Sequence, residues 1–163
     1  MSVDDAYAGR CPNVLKKLIC LVAALWLCMA ALAEDGGAFP LRFDEGFTLS
    51  LPEGWVSYPP GGGNTRYALG DGSGQRFLYI LGQETELRDF DALRAALGQR
   101  SDCEVTSTLD LNGQPFAAFI APQINASGCS TLLNGEVLTF LFTPQDDQDY
   151  MVAVAEIMGS FEF

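Results

Sequence analysis

The sequence predicts an α+β domain: an antiparallel sheet of about six strands built from hairpins, with two helices packed on it. Three observations carry this expectation. Short apolar–polar alternations recur between residues 47 and 142. Two Asn-Gly pairs, Asn112-Gly113 and Asn134-Gly135, each separate strand-like segments, and Asn-Gly is the strongest two-residue hairpin signal. Two segments, 89–97 and 146–158, repeat apolar residues at helical spacing. Hairpins impose antiparallel pairing, which argues against a doubly wound parallel sheet.

The elements follow in order. Arg10, Lys16 and Lys17 precede the uncharged run Leu18 to Ala33, which ends in Ala31-Leu32-Ala33. A basic start, an apolar stretch and a small-x-small end are the parts of a secretory signal peptide. Residues 1–33 are therefore expected to be a signal and 34–163 a single domain. The run is short for a spanning helix, the alternative being an uncleaved anchor. Asp4 and Asp5 lie in a stretch that is long for a signal, so translation starting near Val14 is a further alternative. Neither Cys20 nor Cys28 follows a small residue, so an acylated cysteine is not expected. The resulting protein is a soluble one, secreted or held in the cell envelope.

Glu34 to Ala38 reads as a mobile lead-in. Phe47 to Leu51 alternates as a half-buried strand, and Pro52-Glu53-Gly54 turns the chain before Trp55. Pro59 to Asn64 is a loop by composition. Thr65 to Leu69 and Arg76 to Leu81 form two strands around the Asp71-Gly72-Ser73-Gly74 turn. In the first helix, Phe90, Leu93 and Leu97 share a face and Asp89 caps the start. Glu104 to Leu111 and Phe116 to Ala121 flank the first Asn-Gly turn. Pro115 is tolerable there only at a strand start, bulge or edge. Gln123 to Ser130 reads as a loop, and Leu132-Leu133 pairs with Val137 to Phe142 across the second turn. In the second helix Tyr150, Val154, Ile157 and Phe161 form one stripe, capped by Asp146 or Asp147, and Phe161 to Phe163 reads as a short last strand.

Composition closes several chemistries. The chain has 9 Lys+Arg, 21 Asp+Glu and no His, a net charge of −12. Beyond residue 33 there are six Arg, no Lys and 19 acids, a net charge of −13. Such a surface repels nucleic acid and anionic membranes and leaves basic or neutral partners open. Without His, Ser-His-Asp triads, Cys-His dyads and HExxH zinc sites are impossible, and without Lys so is a Ser-Lys dyad. No catalytic residue, metal ligand or cofactor is therefore assigned.

Of five Cys, Cys103 and Cys129 lie beyond the signal. In an oxidising compartment they are expected to form a disulfide, with both near one end of a meandering sheet; two free, buried thiols are the alternative. Asp146, Asp147 and Asp149, with Asp71, are the best calcium candidates, though capping and turn chemistry explain them equally. Gly70 to Gly74 lacks the lysine of a phosphate loop and fits a hairpin turn. Asn125-Ala126-Ser127 is a glycosylation sequon, meaningful only in a glycosylating host. Trp55, Tyr58, Pro59 and Pro60 are the candidate partner-contact residues, the alternative being a core Trp beside a surface loop.

Gly46 to Trp55, reading Gly-Phe-Thr-Leu-Ser-Leu-Pro-Glu-Gly-Trp, resembles the opening strand and Leu-Pro-x-Gly-Trp turn of PsbP-like domains. The ending is similar too: a strand at Leu138 to Phe142, an acidic helix start, then Ile157-Met158-Gly159-Ser160-Phe161. That group includes photosystem accessory proteins, the Ran-binding Mog proteins and exported bacterial domains. The resemblance implies an antiparallel sheet with helices on it, a PsbP-like α/β sandwich, and no catalytic residues. The expected function is a non-enzymatic binding or accessory module. The alternatives are a carboxylate-based hydrolase of glycans or envelope polymers, and a small-ligand or calcium carrier. Paired acids with raised pKa values would favour the hydrolase, a flat apolar patch near Trp55 and Tyr58 the module, and a closed apolar pocket the carrier.

Overall fold

A computed structural model describes residues 38–163. The expected signal segment 1–33, with Cys11, Cys20 and Cys28, and the lead-in from Glu34 to Gly37 lie outside the described residues. These residues form an α+β fold with a two-stranded hairpin, a seven-stranded antiparallel sheet and two helices.

The hairpin is β1 (Phe39–Arg42) with β2 (Thr48–Leu51). The sheet holds β3 (Val56–Tyr58), β4 (Thr65–Gly70), β5 (Phe77–Glu84), β6 (Glu104–Leu111), β7 (Gln114–Ala121), β8 (Ala126–Leu133) and β9 (Glu136–Thr143). Their spatial order is β3-β4-β5-β9-β8-β7-β6, every pair antiparallel. Helix α1 (Phe90–Gly98) carries the chain from β5 to the far edge. Four strands then return by hairpins until β9 lies beside β5. Helix α2 (Gln148–Gly159) follows.

Local chemistry explains the turns and helix starts. Asn112 and Asn134 take φ near 52°, and the following glycines take φ of 87° and 83°. Those successive positive φ values match the sheet's twist, which is why Asn-Gly is selected there. The Asp89 side chain accepts from Ala92 N–H at 2.8 Å, and that of Asp147 from Tyr150 N–H at 3.0 Å. Each satisfies a donor that its helix cannot. Pro115 sits at the start of β7, before the ladder to β8 begins at Ala117. Side chains replace that ladder: Gln114 Nε2 donates to Leu132 O (2.9 Å) and Thr131 Oγ1 to Pro115 O (2.8 Å).

The sheet divides two cores. On one face, Leu78, Ile80, Leu138, Phe140, Phe142, Phe116 and Cys129 meet Phe43, Phe47, Leu49 and Leu51 of the hairpin region and Tyr150, Val154 and Ile157 of α2. Phe161 completes this core. On the other face, Leu93 and Leu97 of α1 pack on Ala117, with Val105, Leu132 and Val137 around them. No helix among the described residues is long and apolar enough to cross a membrane.

Three expectations are corrected. The segment read as a loop at 123–130 is instead part of a 3₁₀ turn, Pro122–Ile124, and the buried first five residues of β8, where the Phe119 ring lies directly over Gly128. Phe39–Arg42, unassigned from the sequence, is a strand, and it pairs with β2 in a hairpin separate from the seven-stranded sheet. The final segment is no strand but a single bridge, Thr48 to Glu162, which seats Phe161 beneath the hairpin.

Arg76 joins the sheet to α2. Its guanidinium meets the Asp147 carboxylate at 2.7 Å and lies 5.9 Å from the centre of the Tyr150 ring. The Tyr150 N–H and then Arg76 hold the Asp147 carboxyl below the usual carboxylate range. A carboxyl depressed by folding contributes stability above its unfolded pKa of about 4, lost as pH falls through the folded value. Asp147→Asn is therefore expected to lower stability at pH 7 and to reduce the loss between about pH 5 and pH 2, measured by urea unfolding at each pH. An unchanged acid loss in the variant would contradict the assignment.

Candidate functional site

The sheet is wider than its helix on the α1 face. Seven strands at about 4.8 Å spacing span roughly 29 Å, while one helix is about 10 Å across. Helix α1 rests on β6, β7 and β8. Alternation along β5 turns Phe77, Tyr79 and Leu81 toward this face, opposite the core residues Leu78 and Ile80. The register Tyr58–Ala68–Tyr79–Leu141 runs across β3, β4, β5 and β9. Tyr58, Phe77, Tyr79 and Leu141 are all half-buried. Tyr58 meets Phe77 edge-on at 5.4 Å, and Phe77 stacks on Tyr79 at 5.7 Å. Gly70 makes room beneath them: a Cβ there would come within 3.1 Å of the Tyr58 ring and 3.3 Å of Phe77. The result is an aromatic strip, ended at the sheet edge by the exposed Pro59 and Pro60.

Where the strands left uncovered by the described residues meet α1, the step between them forms a groove of about 480 Å³. Leu81, Leu141 and Phe119 line its floor and Leu93, Ala96 and Leu97 its helix wall. Ser130 and Thr139 share a hydroxyl hydrogen bond of 2.7 Å within it. Arg100 donates to both Asp102 oxygens, at 2.9 and 2.6 Å, at its end.

A second, charged pocket of about 250 Å³ lies on the opposite face of the sheet, beside the Asn134-Gly135 turn. There Arg66 reaches Glu45 at 2.7 Å and Glu136 at 2.6 Å, and Tyr67 donates to Glu45 at 3.2 Å. The Arg66 side chain lies over Gly82, which has no space for a Cβ. Sequence reasoning missed this cluster, because its members are 21 and 70 residues apart. The one local sign was a glycine inside a strand, which marks close approach.

The sequence-derived site residues separate on folding. Trp55 belongs to the core: it is 8% exposed and stacks on Tyr150 at 6.3 Å, so it offers no contact surface. Tyr58, Pro59 and Pro60 remain at the surface. Cys103 and Cys129 are free thiols, correcting the expected disulfide. Cys129 sits mid-strand in β8 on the α2 face, whereas Cys103 lies beside α1, its thiol donating to Leu97 O at 3.8 Å. Through the register Cys129–Ala118–Ser107, Cys103 is two strands away and four residues further along, beyond disulfide reach. Burial pushes both thiols up, Cys129 furthest. Mass spectrometry of residues 34–163 after alkylation without reductant should show one modified thiol (Cys103) in the native protein and two after unfolding. No modified thiol in unfolded protein would restore the disulfide.

Three of the four calcium candidates are engaged internally, and Asp149 lies in the first turn of α2. Asp71 Oδ1 accepts from the Ser73 N–H at 2.9 Å, Asp146 from Asn125 Nδ2 at 2.7 Å, and Asp147 caps α2 and pairs with Arg76. Among the described residues, no three His, Cys, Asp or Glu side chains come together as a metal site.

No family model and no curated protein matches the chain. A matching solved structure is the solution structure of cyanobacterial PsbP (CyanoP) from Synechocystis sp. PCC 6803, with a TM-score of 0.52 over 80% of this chain and 98% of that one. The fold is PsbP-like. Identity is 16%, so the likeness is one of backbone architecture. The PsbP-like fold accounts for the sheet and helices, while the aromatic strip, the groove and the Arg66 cluster are read from this chain's own side chains.

Proposed function

We propose that this protein is an exported, non-enzymatic binding or accessory module whose partner docks on the uncovered half of the sheet. The observation that carries the reading is the aromatic strip of Tyr58, Phe77 and Tyr79 beside Pro59 and Pro60. Aromatic side chains supply large contact area with few rotors to immobilise, and they are enriched where proteins bind. The signal-like segment 1–33 supports export, and the PsbP-like architecture supports an accessory role by fold analogy. Electrostatics favour binding over acid–base hydrolysis. Among the described residues, the Asp102 and Asp147 carboxyls are both held low by arginines and N–H donors, opposite to what a general acid requires. The chain's net charge of −12 favours a basic or neutral partner surface.

The test is a pull-down from the native host's envelope extract with residues 34–163, alongside a Tyr58→Ala/Tyr79→Ala variant. One retained protein, lost from the variant and weakened by salt, is the expected result. Equal retention by the variant would remove the strip from the reading. Mature protein from the host beginning upstream of Ala31 would remove export.

A further inference from the structure

We infer that the groove between α1 and the sheet is a second binding site, for a neutral, amphipathic small molecule. The inference is independent of the docking strip, since the groove has its own walls. Its size, about 480 Å³, is that of a small-molecule pocket rather than a packing defect. Its floor is apolar, with Leu81 and Leu141 half-buried beneath the opening, and Ile124 stands at the mouth 61% exposed. Small-molecule sites combine such an apolar lining with a few placed polar groups. Here these are uncharged amides and hydroxyls: Asn64, Gln83, Thr85 and Gln123.

Charge decides the ligand class. The ionisable side chains lining the groove are Arg100, Asp102 and Cys103. Arg100 and Asp102 neutralise each other through their two hydrogen bonds, and desolvation keeps the Cys103 thiol protonated. The groove is thus a neutral concavity on a chain of net charge −12. An anion would meet the repulsion of the whole chain with no free cation to receive it, and a cation would find no unpaired carboxylate. A molecule with an apolar body and an uncharged hydrogen-bonding head loses nothing on either count.

The position of Cys103 supplies a reporter, and Cys129, buried on the other face, an internal control. The experiment titrates the purified chain with Nile red, a neutral apolar dye, and in parallel with anionic 1-anilinonaphthalene-8-sulfonate. Expected are saturable, one-to-one Nile red fluorescence with a blue shift, and N-ethylmaleimide modification of Cys103 slowed at least threefold by the dye. Ala96 is exposed on α1, so Ala96→Trp should fill the groove without disturbing the core and weaken dye binding at least tenfold. Gln83→Trp, on the exposed end of β5, is the second variant should the first not fold. The Tyr58→Ala/Tyr79→Ala variant should bind the dye as the parent does. No saturable signal, a preference for the anionic dye, unaltered binding in folded groove variants, or loss in the strip variant would each overturn the inference.

Discussion

Phe161→Ala is expected to destabilise the protein by about 3–5 kcal/mol, although it lies only two residues from the C-terminus. Phe161 is fully buried. Its ring stacks on Phe47 at 5.5 Å and meets Phe116 at 5.1 Å and Phe140 at 6.0 Å edge-on, joining hairpin, sheet and C-terminus. Its backbone is held by Asn112, whose Nδ2 donates to Phe161 O at 2.5 Å, and by the Thr48–Glu162 bridge on its other side. Because the surrounding rings belong to three different elements, they cannot close over the vacated space together, so the cavity persists. Phe161→Leu, which keeps much of the volume, should cost about 1–1.5 kcal/mol. Urea unfolding, with the slope checked for constancy, measures both. A loss below about 1 kcal/mol for Phe161→Ala would mean that the terminus is not part of the core.

Gly128→Ala is expected to cost about 2–3 kcal/mol, an overpacking effect from a single added methyl. A Cβ at Gly128 would stand 2.5 Å from Phe140 O of β9 and 2.7 Å from the Phe119 ring of β7. The ring could swing aside, but the carbonyl belongs to the neighbouring strand's backbone, so β8 and β9 must separate locally. This position lies between two ladders of a central strand, where separation also lengthens hydrogen bonds. A second substitution, Phe119→Leu, removes the ring contact and should recover only part of the loss. Full recovery would show that the ring, not the strand backbone, sets the cost. Calorimetric melting of the single and double variants distinguishes these results.

The alternation of Val137 to Phe142, the two Asn-Gly turns and the caps Asp89 and Asp147 were legible because each depends on residues within a few positions. So was the antiparallel α+β class that follows from them, and the surface position of Pro59 and Pro60. β8 was not legible. Ala126 to Thr131 contains no large apolar side chain; pairing with β7 and β9, the Phe119 ring over Gly128 and the core around Cys129 make it a buried central strand. That misreading carried the cysteine error with it. Once residue 129 is mid-strand, strand parity sends its thiol to the α2 face while Cys103 stays beside α1. Likewise the sequence leaves Trp55 open between a partner-contact residue and a core Trp, and the stacking of Tyr150, far along the chain, decides for the core.

The sequence by itself therefore determined the chemistry that is absent, the acidic charge, the hairpins and the helices. Each is a property of composition or of neighbours in the chain. Tertiary structure alone decided the uncovered half of the sheet, the groove beside α1 and the pairing of Arg66 with Glu45 and Glu136. These depend on strand order, on the face each side chain takes, and on one short helix being too narrow to cover seven strands.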